Sequence, residues 1–232
     1  MHARKANDGE VRVMGFVDRK QAGELLAERL TRYAGPDTVV IGLPRGGVPV
    51  AREVAERLNA PLDVLASRKL GAPGNPEFAI GAITARGVRV LNHEALRHLW
   101  LPPGYLEQEA LEQRRVAESR EHLLRNGRAP ISLKDKVVIL VDDGIATGMT
   151  ARAAVADVRE QGPSKVVLAV PVIAADSVRV LSAEADAVVS VMVPEVFYAV
   201  GQFYDRFDQV EDDEVRAILD AARAPASQAE RS

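Results

Sequence analysis

The chain has 232 residues, a formal net charge of −3 and 47% hydrophobic residues, which is enough for one globular domain with a buried core. It has no cysteine and only four histidines, so disulfides, thiolate metal sites and a cysteine nucleophile are excluded, and a histidine-built zinc centre is not expected. The slightly acidic balance argues against a nucleic-acid partner held by bulk charge, and no apolar run is long enough to predict a membrane span. We expect a soluble protein located in the cytoplasm.

The first part of the chain predicts a helix, a strand, a second helix and a second strand. Asp18 precedes apolar residues at helical spacing, which predicts a capped helix that ends before Gly35. The run TVVIGL at 38–43 predicts a buried strand, and helical spacing resumes after the glycines that follow it. Residues 62–66 predict the next strand.

The middle of the chain changes character twice. The segment 67–77, SRKLGAPGNPE, is too rich in glycine, proline and asparagine for regular structure, which predicts a mobile loop. Two apolar runs around a turn at 84–87 then predict a hairpin. From 93 to 130 the chain is charged and helix-forming, which predicts a helical insertion whose arginines and glutamates lie on a solvated face. The insertion could be a hood over the substrate or a subunit contact.

The last part of the chain alternates strands and helices again. The expected strands are 137–141, 165–171 and 186–193, and the expected helices include 149–161 and 211–224. This alternation predicts an α/β fold with a parallel sheet covered by helices. We expect a single domain over 1–224, followed by a disordered tail at 225–232.

The segment 137–151, VVILVDDGIATGMTA, is the most informative motif. An apolar strand ends in two adjacent carboxylates, Asp142 and Asp143, and a loop of small residues then leads into a helix. Ligands of parallel sheets bind beyond the carboxyl ends of the strands. The helix N-terminus and the hydroxyls of Thr147 and Thr150 suit a phosphate dianion, whereas exposed carboxylates suit vicinal hydroxyls. The motif therefore predicts a site for a ribose 5-phosphate.

This segment resembles the phosphoribosyl diphosphate (PRPP) motif of type I phosphoribosyltransferases. The resemblance implies the Rossmann-like parallel sheet of that family, with a hairpin or flexible loop beside the site. It also implies transfer of ribose 5-phosphate from PRPP to a nitrogenous base or other nitrogen nucleophile, as in nucleotide salvage, with release of pyrophosphate. Magnesium bound mainly through PRPP is the implied cofactor. Asp142 and Asp143 would bind the ribose hydroxyls, and the 5-phosphate would be bound by Ala146, Thr147, Gly148, Met149 and Thr150.

Two further segments are similar to the family. The first is the expected pyrophosphate loop Pro44, Arg45, Gly46 and Gly47, where glycines let backbone N–H groups approach an anion and the guanidinium offers a fork of donors. By resemblance a cis peptide is expected there. The second is 67–77, where Arg68 and Lys69 would be catalytic cations for the leaving pyrophosphate. The alternatives are a tight turn with a surface arginine and an ordinary solvated loop.

One further segment bears on the acceptor. Segment 194–210 resembles a hood in which Phe197 stacks on a base and Tyr198 contacts it through the backbone. The alternative is that these aromatics form a hydrophobic cluster with Phe203, Tyr204 and Phe207. In the 6-oxopurine enzymes an aspartate base takes the place of Ala146, and a lysine falls roughly at Pro171. Asp205 is the single candidate for a direct metal ligand.

Three hypotheses follow. The first is a magnesium-dependent phosphoribosyltransferase of unknown acceptor, expected to be a homodimer, whose partners are PRPP and a base rather than a membrane or a nucleic acid. The second is a PRPP-binding or nucleotide-binding regulator on the same fold, without catalysis. The third is a receiver domain, which also ends a strand with two aspartates, but the loop ATGMT has no role there.

Overall fold

The structure is a computed structural model that describes residues 15–222, and the predicted tail at 225–232 lies outside the described residues. The helices within that part of the chain are α1 Arg19–Leu30, α2 Gly47–Leu58, α3 His93–Arg97, α4 Tyr105–Arg125, α5 Met149–Glu160, α6 Ala175–Glu184 and α7 Asp212–Ala222. The strands are β1 Thr38–Gly42, β2 Leu62–Val64, β3 Ser67–Ala72, β4 Asn75–Thr84, β5 Arg89–Leu91, β6 Val137–Val141, β7 Lys165–Val172 and β8 Ala187–Met192.

A five-stranded parallel sheet in the order β2-β1-β6-β7-β8 forms the centre of the molecule. Alternate residues of each strand face opposite layers: Val40 packs in a core with α1, α2 and α7, whereas Val39 and Ile41 pack in a core with α5 and α6. Because both faces are covered, the strands are continuous apolar runs rather than alternating ones. The predicted α/β fold with a parallel sheet is confirmed.

The segment 67–77 is a β-hairpin, so the prediction of irregular structure was wrong. β3 and β4 pair antiparallel, and with β5 they form a second, three-stranded sheet. The register shifts at Gly71, whose added Cβ would lie 2.6 Å from the Cα of Pro76, and Gly74 turns the tip with φ of 73°. The glycines and prolines therefore serve a bulged strand and a tight turn. The predicted hairpin of β4 and β5 around 84–87 is confirmed.

The insertion is helical as predicted, but its charged face is only partly solvated. Arg114 and Glu118 form the expected surface pair at 2.7 Å, and each side chain is about half exposed. At the other end of α4, however, Arg125 pairs with Glu121 at 2.5 Å and with Asp63 at 3.0 Å, and Asp63 is 1% exposed. The aspartate lies in β2, so these charges fasten the insertion to the central sheet.

No helix within residues 15–222 is both long and apolar enough to cross a membrane.

Candidate active site

Two loops leave the central sheet side by side. β1 and β6 are neighbours, with Gly42 opposite Val141, and the N–H of Leu43 donates to the carbonyl of Val141 at 2.8 Å. The loops that follow, 44–47 and 142–148, therefore start at the same carboxyl edge, where ligands of parallel sheets bind. The peptide bond between Pro44 and Arg45 is cis, in agreement with the resemblance.

The two loops touch each other at a glycine. A Cβ added to Gly46 would lie 1.9 Å from Oδ2 of Asp143, and one added to Gly47 would lie 2.6 Å from the carbonyl oxygen of Val141. No side chain fits at either position. The segment expected to bind pyrophosphate and the carboxylate expected to bind the ribose are thus in direct contact, although what each of them binds stays a prediction.

Helix α5 begins where the acidic loop ends. Gly148 takes the left-handed conformation with φ of 74° at the N-cap, and Met149 is the first helical residue. The first N–H groups of a helix have no partner inside it and suit an anion. Ser177 of α6 donates to the carbonyl of Ala146 at 2.5 Å, which connects the loop to that helix. Thr147 is exposed and Thr150 half-buried.

The acidic pair is not an exposed pair of carboxylates, contrary to the expectation. Asp142 and Asp143 are both half-buried, and Nε of Arg19 donates to Oδ2 of Asp143 at 2.9 Å. Burial, and then the charge of Asp143, raises the pKa of Asp142 well above its usual value. Burial also raises the pKa of Asp143, although the guanidinium of Arg19 opposes that rise. The cation that pairs with Asp143 comes from α1, far away in the sequence, so no local pattern predicts this pairing.

The side chain of Tyr204 supports the backbone of the same turn. Its hydroxyl donates to the carbonyl of Asp143 at 2.5 Å, and burial raises the pKa of this phenol above its usual value, so it stays a donor. Sequence reasoning assigned neither Arg19 nor Tyr204 a contact with the acidic pair. For Tyr204 the aromatic-rich segment was the signal, whereas no local pattern distinguishes Arg19 from the other arginines.

The expected catalytic cations lie beside the start of α5. Arg68 and Lys69 line a cavity of about 390 Å³ together with Thr150, so the structure brings the hairpin to the predicted phosphate loop. Nε of Arg68 donates to Oε1 of Gln113 in α4 at 3.2 Å. Two of the predicted site residues thus share a cavity with the helix start, and the insertion forms one wall of it.

Arg45 also has a neighbour outside its own loop. Its Nη1 lies 3.4 Å from Oε2 of Glu211, just before α7, and the arginine side chain is 27% exposed. The guanidinium is therefore accessible at the edge of the site rather than buried in the turn.

The aromatics of segment 194–210 form a cluster, as in the second interpretation. Phe197 and Phe203 have ring centroids 5.0 Å apart, and Phe203 is fully buried. Tyr198 stands apart from this cluster, being 87% exposed, and its N–H donates to Oε1 of Gln202 at 2.9 Å. The cluster interpretation therefore fails for Tyr198 alone, and stacking of a base on Phe197 stays a prediction.

A metal site built from protein side chains needs several carboxylates or histidines close together. Within the described part of the chain, no group of three or more histidine, aspartate or glutamate side chains is placed to hold a metal ion. Asp205 uses its backbone N–H to donate to the carbonyl of Phe16 at 2.8 Å, and its role as a direct metal ligand stays a prediction.

The family model of the phosphoribosyl transferase domain matches residues 18–207, which include both loops, the hairpin and the aromatic cluster. The chain therefore belongs to the phosphoribosyltransferase family, and its fold is that of the type I members.

Two relatives show how far the likeness extends. A protein of Mycobacterium tuberculosis H37Rv named "putative phosphoribosyl transferase" is 49% identical over 207 residues, which are 89% of this chain and 47% of that protein. The chain thus spans about half the length of that relative. The crystal structure of TT1426 from Thermus thermophilus has 49% identity and a TM-score of 0.76, and the match covers 89% of this chain and 98% of that one.

Proposed function

We propose that this domain transfers ribose 5-phosphate from PRPP to a nitrogen nucleophile and releases pyrophosphate. The observation that carries the proposal is the contact between Gly46 and Asp143, where an added Cβ would lie only 1.9 Å from the carboxylate. The contact supports the proposal because a glycine loop is suited to bind pyrophosphate and a carboxylate is suited to bind a diol. The N-terminus of α5, which follows the carboxylates, is suited to bind a phosphate. PRPP carries these three groups on one ribose ring.

The reaction needs little covalent participation from the protein. The bond between the ribose C1 and the pyrophosphate oxygen breaks, and its electron pair leaves with pyrophosphate. The nitrogen nucleophile forms the new bond to C1 and loses its proton to solvent. Asp142 and Asp143 orient the ribose through its hydroxyls, and Arg45 is placed to stabilise the charge of the leaving group. Arg68 and Lys69 approach the same ligand from the neighbouring cavity.

The residues present fit a magnesium ion that is held mainly by the substrate. Mg²⁺ keeps several waters and typically takes one or two protein carboxylates together with substrate phosphates. Within residues 15–222, no group of three or more carboxylates or histidines is placed to hold the ion without the substrate. When bound, the ion neutralises charge on the pyrophosphate, and Arg45 supplies the protein's share.

A second function has one specific observation in its favour. Ala146 stands where the 6-oxopurine enzymes have an aspartate base, and its carbonyl accepts from Ser177. No side chain at this position can take a proton from the acceptor. A PRPP-binding regulator without turnover would need none. The proposal also includes a nitrogen nucleophile as the acceptor, a homodimer and a cytoplasmic location.

The test is a calorimetric titration of the chain with PRPP, with and without Mg²⁺, followed by ³¹P NMR of PRPP mixed with purines, pyrimidines and simple amines. The control is Asp143→Asn, which keeps the shape of the side chain. Binding that is lost in the variant, together with formation of pyrophosphate, supports the transferase. Binding without pyrophosphate formation supports the regulator. No binding by the wild type contradicts both.

A further inference from the structure

Arg19 contacts the acidic turn at Asp143 and segment 203–208 at Phe207 and Asp208. Nε donates to Oδ2 of Asp143 at 2.9 Å, and Nη1 donates to the carbonyl of Asp208 at 2.7 Å. The centre of the guanidinium lies 3.9 Å from the centroid of the Phe207 ring. A guanidinium is planar and can form a fork of hydrogen bonds and a stacking contact at the same time, which an ammonium group cannot do.

We infer that Arg19 is a positioning residue, which holds the Asp143 carboxylate against loop 44–47 and ties it to segment 203–208. The inference rests on the proposed function, because the carboxylate is the group proposed to bind the ribose. It assigns Arg19 no contact with PRPP. Arg19 acts through Asp143, and its loss therefore weakens binding of the ribose while the fold remains.

The ion pair differs from an ordinary surface pair. Both side chains are only 13% exposed, whereas exposed pairs contribute little because they are mobile and solvated. The contacts to Phe207 and Asp208 restrict the arginine further. An ionised carboxylate can accept about four hydrogen bonds, so the bond from Arg19 leaves capacity for the ribose hydroxyls.

Segment 203–208 holds both the backbone and the side chain of Asp143. Tyr204 donates to its carbonyl, and Arg19, anchored on Phe207 and Asp208, holds its carboxylate. The segment itself is bonded to the chain before α1 through the N–H groups of 16, 205 and 206. The start of α1 and the end of the hood thus form one support beneath the acidic turn.

The pH dependence of PRPP affinity provides a second readout. The groups that act on Asp143 are Asp142 from the same strand end, Arg19 from α1 and the neutral phenol of Tyr204. Among residues 15–222, Arg19 is the cation that forms an ion pair with Asp143, so its removal leaves the repulsion between the two carboxylates unopposed there and raises the pKa of Asp143 further. Affinity for PRPP, which needs ionised carboxylates, would then be lost at a higher pH as the pH falls.

The experiment compares the wild type with Arg19→Gln, Arg19→Lys and the control Lys20→Gln. Lys20 is the next residue of α1, its side chain is 64% exposed, and it forms a surface ion pair with Glu24 at 3.9 Å. PRPP affinity in the presence of Mg²⁺ is measured by calorimetry from neutral to mildly acidic pH, and circular dichroism checks the fold of each variant.

We expect Arg19→Gln to bind PRPP about 10- to 100-fold more weakly at neutral pH, the range for loss of a hydrogen bond to a charged group. The pH below which this variant loses affinity for PRPP is higher than that of the wild type. Arg19→Lys keeps the charge but not the fork, so its affinity is intermediate and is lost below the same pH as that of the wild type. Lys20→Gln binds as the wild type does.

Unchanged affinity and pH dependence in Arg19→Gln, with normal binding by the wild type, would overturn the inference and leave the proposed function standing. Equal losses in Arg19→Gln and Lys20→Gln would also overturn it, because the effect would then belong to helix α1 in general. Should Arg19→Gln not fold, Arg19→Lys decides, since wild-type affinity in that variant contradicts a need for the fork. A wild type that binds no PRPP overturns the proposed function and this inference together.

Discussion

The hydroxyl of Tyr204 donates a hydrogen bond of 2.5 Å to the backbone carbonyl of Asp143, across 61 positions of sequence. The ring of Tyr204 lies between those of Phe16 and Phe207, at centroid distances of 5.3 and 4.9 Å. The acidic turn is therefore supported from below by an aromatic cluster built from both ends of the described chain. The conformation of the turn depends on packing as well as on its own sequence.

The first prediction is that Tyr204→Phe lowers both stability and PRPP affinity. The ring stays in the cluster, but the half-buried carbonyl of Asp143 loses its donor, which typically costs about 1–2 kcal/mol of the free energy of unfolding. Urea denaturation measures the stability, and calorimetry measures the affinity.

The matched control is Tyr198→Phe, because Tyr198 is 87% exposed. Its hydroxyl has no buried partner to lose, so we expect a change within about 0.5 kcal/mol. Equal destabilisation by the two substitutions would show that the hydrogen bond to Asp143 contributes nothing of its own.

The second prediction concerns the contact between the two loops. Gly46→Ala places a Cβ 1.9 Å from Oδ2 of Asp143, so either the carboxylate or loop 44–47 must move. We expect PRPP affinity to fall at least as much as in Asp143→Asn, as measured by calorimetry. Gly35→Ala is the control, because its Cβ meets nothing closer than the hydroxyl of Thr38 at 3.9 Å. Wild-type binding by Gly46→Ala would contradict the contact.

The third prediction is the pH dependence of the acidic pair. Burial raises the pKa of Asp142 and of Asp143 above the usual 3.8. A group whose pKa is raised by folding stabilises the folded state below its unfolded pKa, and this contribution is lost as the pH rises through the folded value. The ligand-free protein should therefore lose this contribution to stability as the pH rises above 3.8, while PRPP affinity, which needs ionised carboxylates, increases over the same window.

Thermal unfolding of the wild type and of the double variant Asp142→Asn, Asp143→Asn, both without PRPP, measures this contribution. We expect a difference between the two melting temperatures that changes with pH in that window. A constant difference would contradict the raised pKa values.

The fourth prediction tests the attachment of the insertion. Arg125→Ala removes the cation that pairs with Asp63 and Glu121, and these two carboxylates are 1% and 12% exposed. Removing one partner from a buried ion pair typically costs about 3 kcal/mol or more. Arg115→Ala, at an exposed position of the same helix, should change the free energy of unfolding by less than about 0.5 kcal/mol. Similar urea midpoints for the two variants would contradict a buried network.

The acidic loop could be predicted from the sequence because all its parts are local. A strand, two carboxylates, a small-residue loop and a helix start follow one another within 137–151, so their order alone predicts their arrangement. The neighbouring glycine loop follows from the rule that ligands bind at the carboxyl edge of a parallel sheet.

The supports of the site could not be predicted, because they depend on distant partners. Arg19 lies 124 positions before Asp143, and nothing near it in the sequence indicates that contact. Glu121 and Arg125 have the spacing of a solvated helix pair, and contacts with Asp63, Val64 and Ala66, distant in the sequence, make them part of the interior. Segment 67–77 has the composition of a loop, but the antiparallel pairing of β3 with β4 makes it a hairpin.

We propose that loops 44–47 and 142–148 bind the two ends of PRPP. Separate titrations with pyrophosphate and ribose 5-phosphate test this most directly. Arg45→Ala removes a cation from loop 44–47, and Thr150→Val removes a hydroxyl from the first turn of α5 at similar volume. We expect Arg45→Ala to lose about tenfold in affinity for pyrophosphate and little for ribose 5-phosphate, and Thr150→Val to show the opposite pattern. Equal losses for both ligands in each variant, or the reverse order, would contradict the account.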